Sequence, residues 1–323
     1  MAMSGARTIA ICGAGLMGHG IALSLARAGH RVHAYDPDAA TRASLEARVR
    51  DSLTLLKAGG DEIERTIDGI DAFDDLGASV TGADYVFEAA PEQLAVKQKA
   101  FAEIEAAAPA DCIFASNTSV IPITSIMGGL GIRARALGTH WWNPPHLIPL
   151  VEVIRTEWTS EAAMEAMVGL LAGVGKQPVR VEKDIPGFVG NRLQHALWRE
   201  AVSLVENGVC SAEAVDAVIR ASFGRRLAVL GPLENADLVG TDLTLDIHEN
   251  VLFDLESCRG PSPYLRGLVA AGKLGVKTGE GFMKWPPGAA DQTRARVVDY
   301  LLAIEALLDA PPRRRRNRSQ GRT

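Results

Sequence analysis

The sequence lacks a long hydrophobic run, a cysteine framework and a surplus of basic charge. No stretch of 18 consecutive apolar residues occurs, so we expect no membrane span. Residues 1–8 lack the basic and apolar order of a signal peptide, and we therefore expect a cytoplasmic protein. The four cysteines show neither disulfide nor metal-ligand spacing, which argues against a secreted disulfide scaffold and against a metal site.

Charge is unevenly distributed along the 323 residues. The net charge is −5, but residues 313–323 hold six arginines and no acid, so the rest of the chain stands at −11. A basic terminal arm can bind nucleic acid, but a short one that follows two prolines is more often a solvated tail. We interpret residues 311–323 as a disordered basic tail and expect no nucleic-acid partner.

A glycine-rich turn lies between a predicted strand and a predicted helix. The strand covers residues 7–12, the turn Gly13–Gly18 reads GAGLMG, and the helix covers residues 21–28. A second predicted strand, residues 31–35, ends at Asp36, 18 residues after the last glycine of the turn. This order of strand, turn, helix, strand and acid is typical of a dinucleotide-binding unit.

Each part of this unit has a physical reason. The first glycine permits a tight turn, Gly15 lets backbone N–H groups approach a pyrophosphate, and Gly18 lets the helix pack closely. A carboxylate at the end of the second strand accepts from both ribose hydroxyls and repels a 2′-phosphate, so we expect NAD rather than NADP. The alternative is an α/β domain without a cofactor. The predicted cofactor contacts in this region are Gly13, Gly15, Leu16, Met17, Gly18 and Asp36.

Polar residues follow two further predicted strands. Glu88 and Glu92 follow the strand at residues 83–87, and the segment Ser116 to Ser119 follows the strand at residues 111–115. In an open parallel sheet, residues just past the carboxyl ends of strands lie where ligands bind. For Ser119 the alternative is a cap of the helix predicted at residues 121–127.

A histidine and an acid stand on two neighbouring predicted strands. The first strand ends at His140, and the second, Leu150 to Ile154, contains Glu152 among apolar residues. If the strands pair as a wide hairpin, the two side chains meet, and a carboxylate that holds one ring nitrogen leaves the other free as a base. The alternative is a hydrogen-bonded core histidine beside a strand-edge acid.

The pattern of elements changes near residues 184–187. Upstream, strands alternate with helices, whereas downstream only helical patterns are visible, including one at residues 188–207. We predict a Rossmann-type doubly wound α/β domain over residues 1–185 and a C-terminal all-α domain over residues 186–310. The apolar faces of those helices need a covering surface, either the first domain or a second subunit.

Several motifs occur in fixed order over residues 7–286, namely ICGAGLMG, YVFEAAPE followed by VKQKAF, FASNTS, GTHWWNPP, PLVEVI, IPGFVGNR, GPLENADLVGTD and LGVKTGEGFMKW. Together these motifs resemble the NAD-dependent L-3-hydroxyacyl-CoA dehydrogenase family. The resemblance implies oxidation of an L-3-hydroxy group to a 3-oxo group, with NAD as cofactor, and a homodimer formed through the helical domain.

The resemblance also implies roles for individual residues. His140 matches the catalytic base of the family, and Glu152 matches the carboxylate that orients this base. Ser119 and Asn191 match the polar pair that holds the reacting oxygen of the substrate. Three further residues match positions near the ribose and nicotinamide of the cofactor, namely Glu92, Lys97 and Asn117.

Three departures from the acyl-CoA enzymes concern the substrate. The segment 37–70 is net acidic with Lys57 as its only lysine, although CoA phosphates prefer basic surface. Trp141 and Trp142 replace the usual phenylalanine pair. In this respect the chain resembles relatives that act on gulonate, carnitine and pyridine carboxylates. A segment beginning at Arg226 is similar to the gulonate and pyridine-carboxylate relatives. We predict Arg226 as an anchor for a substrate carboxylate, the alternative being a solvated helix-end arginine.

Two substrate classes and one other class of protein therefore stay open. The substrate is either a short 3-hydroxyacyl-CoA, which would belong to fatty acid metabolism, or a free 3-hydroxy carboxylate. The alternative from another class is a non-enzymatic NAD-binding protein of the crystallin type. The β-hydroxyacid dehydrogenases rely on a lysine base in a long helix, and no lysine lies between Lys183 and Lys273, which argues against that family.

Overall fold

The structure, a computed structural model, describes residues 5–308 and contains one eight-stranded sheet. The strands are β1 (Thr8–Cys12), β2 (Arg31–Tyr35), β3 (Ile70–Phe73), β4 (Tyr85–Glu88), β5 (Ile113–Ser116), β6 (Ala136–Trp141), β7 (Leu150–Ile154) and β8 (Gln177–Val181). They lie in the order β3-β2-β1-β4-β5-β6-β7-β8. All neighbours are parallel except β6 and β7, which are antiparallel.

The strand order reverses between β1 and β4. Ligands of open parallel sheets bind in the crevice at the carboxyl ends of the strands at such a point. The predicted Rossmann-type, doubly wound α/β fold is therefore confirmed. Eight α-helices accompany the sheet: α1 (Gly18–Arg27), α2 (Ala39–Ala43), α3 (Leu45–Leu55), α4 (Gly60–Asp68), α5 (Leu76–Val80), α6 (Leu94–Ala107), α7 (Ile123–Met127) and α8 (Glu161–Gly173).

The sheet is buried on both faces, which explains why its central strands are apolar without alternation. On one face, Ile11 and Phe87 pack in one cluster with Met164 of α8. On the other face, the intervening residues Ala10 and Val86 belong to a second cluster, which includes α5, α6 and α7. Successive strand residues point to opposite faces, so each strand contributes to both clusters.

Two sequence predictions about the first 185 residues were incomplete. The apolar spacing of residues 37–70 predicts a helical segment broken once, at Gly59–Gly60. The structure has three helices there rather than two, because the chain turns at Ser44 between α2 and α3. It then ends in the edge strand β3, which was not predicted. β3 has four residues, none of them fully buried, and therefore lacks the apolar run that identified the other strands.

The C-terminal region is helical, as predicted. Its helices are α9 (Gly190–Glu206), α10 (Ala212–Ala221), α11 (Pro232–Val239), α12 (Thr241–Val251), α13 (Pro263–Ala270) and α14 (Ala289–Leu308). The sequence pattern also predicts one continuous helix over residues 234–257. That prediction is wrong, because Gly240 adopts a φ of 105° that interrupts the helix between α11 and α12. Helix α13 was not predicted, although Ser262 caps it and Pro263 begins it.

By its contacts the chain forms two compact units, one comprising residues up to Asn191 and from Val298 on, the other Arg192–Val297. The predicted domain division at residue 185 stays a proposal. Val215 is the only hydrophobic residue of the second unit that is buried within the described chain. Within residues 5–308, no helix is both long and apolar enough to cross a membrane. The predicted basic tail at 311–323 lies outside the described residues.

Candidate active site

His140 and Glu152 face each other across the antiparallel pair β6 and β7. They are register partners, and His140 Nδ1 lies 2.7 Å from Glu152 Oε2. Both side chains are buried, with 3% and 1% exposure. The hairpin predicted from the sequence is present, and it brings the two residues into contact because opposite residues of paired strands are neighbours.

The second carboxylate oxygen of Glu152 binds the backbone at the start of helix α9. Oε1 accepts hydrogen bonds from Val189 N at 2.9 Å and Gly190 N at 3.0 Å. The preceding residue, Phe188, has a left-handed φ of 49° and a fully buried ring. Asn191 follows directly, so the same carboxylate that contacts His140 also fixes the segment that positions Asn191.

These contacts determine the charge state of Glu152. Burial acts to raise the pKa of Glu152, but the hydrogen bonds from His140, Gly190 and Val189 outweigh it and lower the pKa below its ordinary value. An ionised carboxylate only accepts hydrogen bonds, so the His140 proton lies on Nδ1 and the lone pair on Nε2. The arrangement can therefore take up a proton at Nε2.

Ser119 and Asn191 are also brought together. Asn191 Nδ2 donates to the Ser119 carbonyl oxygen at 2.8 Å, while the exposed Ser119 hydroxyl has no hydrogen-bond partner within residues 5–308. The alternative role of Ser119 as a helix cap is not found. The Asp184 carboxylate accepts instead from Ile123 N at 3.0 Å and Thr124 N at 2.7 Å at the start of α7.

A partly buried network lies at the carboxyl ends of β4 and β5. Lys97 Nζ donates to Glu88 Oε1 at 2.8 Å and lies 3.2 Å from Glu92 Oε2. Glu92 Oε1 accepts from Thr118 Oγ1 and from Ser119 N, at 2.5 and 2.9 Å. Burial acts to raise the pKa of Glu92, but the hydrogen bond from Thr118 and the charge of Lys97 outweigh burial, so the pKa lies below its ordinary value. The network thus connects two predicted cofactor contacts to the backbone of Ser119.

Sequence reasoning missed the role of Glu88. Its side chain has no exposed surface, and its second oxygen, Oε2, accepts from Ser116 Oγ at 2.6 Å. An acid at the end of a fully apolar strand was the signal that could have identified it, as it did for Glu152. Glu88 positions the ammonium group of Lys97, whose other hydrogen bond goes to the Ala90 carbonyl oxygen at 3.1 Å.

Sequence reasoning also missed Lys176. Its Nζ donates to the carbonyl oxygens of Pro145 and Ile148, at 2.5 and 3.0 Å, and lies 5.3 Å from the ring centre of Trp141. Burial lowers the pKa of Lys176 to about 8. This lysine holds the loop between β6 and β7, but no local pattern indicates it, since its partners lie about 30 residues away.

The glycine turn has the shape that a dinucleotide requires. Gly13 has a φ of 104°, and a Cβ at Gly18 would lie 1.8 Å from the Gly13 carbonyl oxygen, so both positions need glycine. A Cβ at Gly15 would meet no atom within 4 Å, which leaves its outer side open to a ligand. Leu16 is exposed and Met17 packs partly against the core.

Two further predicted contacts complete the cofactor region. The Asp36 carboxylate accepts from Ala14 N at 2.9 Å and from Asp38 N at 3.0 Å, at the carboxyl end of β2. Asn117 Oδ1 accepts from Trp141 N at 2.9 Å, which leaves its Nδ2 donors available. The open glycine turn, the acid beside it and the free amide donors fit NAD.

Arg226 belongs to the second unit. It follows a short 3-10 helix, Phe223–Arg225, and its side chain is exposed and forms no ion pair with residues 5–308. Its predicted contact with a substrate stays a prediction. Among residues 5–308, no three His, Cys, Asp or Glu side chains cluster in a way that could hold a metal ion.

Comparison with known proteins gives two family matches. Residues 8–185 match the 3-hydroxyacyl-CoA dehydrogenase NAD binding domain, and residues 187–285 match the C-terminal domain of the same enzymes. A relative from Mesorhizobium japonicum, 5-formyl-3-hydroxy-2-methylpyridine 4-carboxylate 5-dehydrogenase, is 38% identical over 306 residues, which is 94% of this chain and 98% of that protein.

Two solved structures are also similar. One is the crystal structure of 5-formyl-3-hydroxy-2-methylpyridine 4-carboxylic acid 5-dehydrogenase, an NAD+ dependent dismutase. It is 35% identical with a TM-score of 0.88, and the match covers 95% of this chain and 99% of that one. The other is (S)-3-hydroxybutyryl-CoA dehydrogenase from Ralstonia eutropha, 33% identical with a TM-score of 0.73, covering 87% and 100%.

The lowered pKa of Glu152 predicts a pH-dependent stability difference. The stabilisation by the ionised carboxylate is fully present above the ordinary value of 4.5 and is lost as pH falls through the lower folded value. Glu152→Gln should therefore reduce the free energy of unfolding by about 1–3 kcal/mol at neutral pH, and by progressively less below pH 4.5. Urea denaturation across this range measures the difference.

The matched control is Glu165→Gln, which removes an exposed carboxylate from helix α8. This variant should unfold like the parent protein at every pH. A Glu152→Gln deficit that does not change with pH would contradict the charge assignment.

Proposed function

The chain belongs to the 3-hydroxyacyl-CoA dehydrogenase family, and from this premise we propose that it oxidises the hydroxyl of a small 3-hydroxy carboxylate to the 3-oxo compound with NAD. The observation that supports this most directly is the 2.7 Å contact between His140 and Glu152. It pairs a base with a buried, ionised carboxylate beside the carboxyl ends of the strands that bind the cofactor.

The proposed chemistry follows from these contacts. His140 Nε2 accepts the proton of the substrate hydroxyl, and the imidazolium that forms is stabilised by the Glu152 carboxylate. The Ser119 hydroxyl and the second N–H of the Asn191 amide bind the reacting oxygen as it becomes a carbonyl. When bound, NAD supplies the acceptor for the hydride. General base catalysis of this kind contributes about 10²–10⁴ in rate.

The basic residues near Asp36 argue for a free carboxylate rather than a CoA thioester. Two of the four arginines of segment 37–70 are engaged within the protein: Arg50 is in ion-pair contact with Glu46 and Glu64, and Arg42 donates to the Asp36 carbonyl oxygen. A site for CoA phosphates needs available cations. The higher TM-score to the pyridine-carboxylate enzyme, 0.88 against 0.73, supports the same substrate class.

Two alternatives define what must be tested. A short 3-hydroxyacyl-CoA would use the same four residues and would place the enzyme in fatty acid metabolism. A non-enzymatic NAD-binding protein would not need them. The contacts between His140 and Glu152 and between Asn191 and Ser119 favour an enzyme, since a binding protein gains nothing from a base held beside the cofactor.

A substrate panel tests the proposal. We expect NADH to be consumed with free 3-oxo carboxylates and formed with L-3-hydroxy carboxylates, at a kcat/KM above that for acetoacetyl-CoA, as read from NADH absorbance. Glu152→Gln should lower the turnover by roughly 10²-fold. Preference for the thioester would shift the assignment to the acyl-CoA class, and inactivity towards every compound would favour the binding protein.

We propose Arg226 as the anchor for the substrate carboxylate. Arg226→Ala should raise KM for the carboxylated substrate about tenfold or more, because a charge-assisted pair is lost, while KM for the matching neutral amide changes little. Arg225→Ala removes the neighbouring exposed arginine and serves as the control. An equal rise in KM for the acid and the amide would exclude the anchor role.

We further propose that the helical region, residues 186–310, forms a homodimer. Leu233, Leu238 and Phe253 are 81%, 74% and 82% exposed, and such side chains at this density need a covering surface. A second copy is the occupant that the family resemblance implies. Sedimentation equilibrium should give twice the chain mass of 34.4 kDa, whereas a single-chain mass at micromolar concentration would contradict the dimer.

The free state of all four cysteines supports a cytoplasmic location.

A further inference from the structure

Arg48 reaches from helix α3 to the glycine turn at the start of α1. Its Nη1 donates to the Gly15 carbonyl oxygen at 3.1 Å, and its Nη2 donates to the Thr41 carbonyl oxygen at 2.9 Å. Thr41 lies in α2, directly after the loop that begins with Asp36. One guanidinium group therefore links the two chain segments that flank the adenosine diphosphate portion of a dinucleotide.

The charge of Arg48 has no counter-ion within residues 5–308. Its side chain is half-buried, its Nε has no hydrogen-bond partner, and none of its contacts is an ion pair. The Asp36 carboxylate acts on Arg48 electrostatically, but its hydrogen bonds are with Ala14 N and Asp38 N. Partly buried charges are normally paired, but Arg48 has no ion-pair contact with a carboxylate of residues 5–308.

Arg50, two residues further along the same helix, shows the ordinary arrangement. It contacts the carboxylates of Glu46 and Glu64 on the protein surface. The two arginines share a helix and a charge, but only Arg48 points to the glycine turn, and only Arg48 is left without a carboxylate. The two arginines therefore differ in the groups that surround their guanidinium groups.

We propose that Arg48 supplies the counter-charge for the diphosphate of the bound dinucleotide. Gly15, which it contacts, is the residue of the turn that is open on its outer side, where the backbone N–H groups receive a pyrophosphate. The guanidinium keeps unused N–H donors after its two hydrogen bonds. Arg48 thereby favours ligands that contain the diphosphate over those that contain adenosine alone.

Ligand fragments test this role without any substrate. Isothermal titration calorimetry with ADP and with adenosine is carried out on the parent protein, Arg48→Met, Arg48→Lys and Arg50→Met. Arg48→Met should weaken ADP binding about tenfold, as expected for one lost charge-assisted contact, and change adenosine binding by less than about twofold. Arg48→Lys, which keeps the charge, should retain most of the ADP affinity. Arg50→Met should bind both ligands like the parent protein.

Three results would overturn the proposal. Equal weakening of ADP and adenosine would reduce Arg48 to a tether between the two segments. Unchanged ADP binding in Arg48→Met would remove it from the cofactor site. Tighter binding of adenosine 2′,5′-diphosphate than of ADP, abolished in Arg48→Met, would assign the guanidinium to a 2′-phosphate instead. None of these results depends on the 3-hydroxy carboxylate proposed above, so the two proposals fail independently.

Discussion

The Glu152 carboxylate accepts three hydrogen bonds inside the protein, one from the His140 ring and two from the backbone at the start of α9. Burying a charge is costly unless hydrogen bonds satisfy it, and here all three donors point at the same group. One ionised side chain therefore sets the tautomer of the base and the position of Asn191. The base and the residue proposed to hold the reacting oxygen depend on a single charge.

Much of this region followed from local patterns in the sequence. The alternation of strand residues placed His140 and Glu152 opposite each other, and the glycine turn with Asp36 identified the cofactor site. Other parts depended on distant contacts. Lys176 meets the loop between β6 and β7 only through tertiary packing. The local pattern of Glu88 predicts only a residue past a strand end, because its partner, Lys97, lies on the following helix. The edge strand β3 is too short and too exposed to differ from its helical surroundings.

The net charge of segment 37–70 was informative about the substrate, but it did not indicate the roles of the individual arginines. The net acidity indicated that the segment is poorly suited to CoA phosphates, and the ion pairs of Arg50 agree with that interpretation. The same count could not distinguish Arg50 from Arg48, because the two residues differ only in their neighbours. The sign of a side chain's charge is given by the sequence, whereas the presence or absence of its counter-ion depends on the fold.

The pairing of β6 with β7 also links folding to the proposed catalytic role of His140. Trp141 packs in the core cluster of one sheet face, and His140, its neighbour, points to the other face. A slip of one residue between the strands would move Glu152 to the face of Trp141, burying a carboxylate among apolar side chains. A misregistered molecule would be unstable as well as inactive. Under the proposed role of His140, the same strand register that stabilises the sheet also sets the geometry of the base.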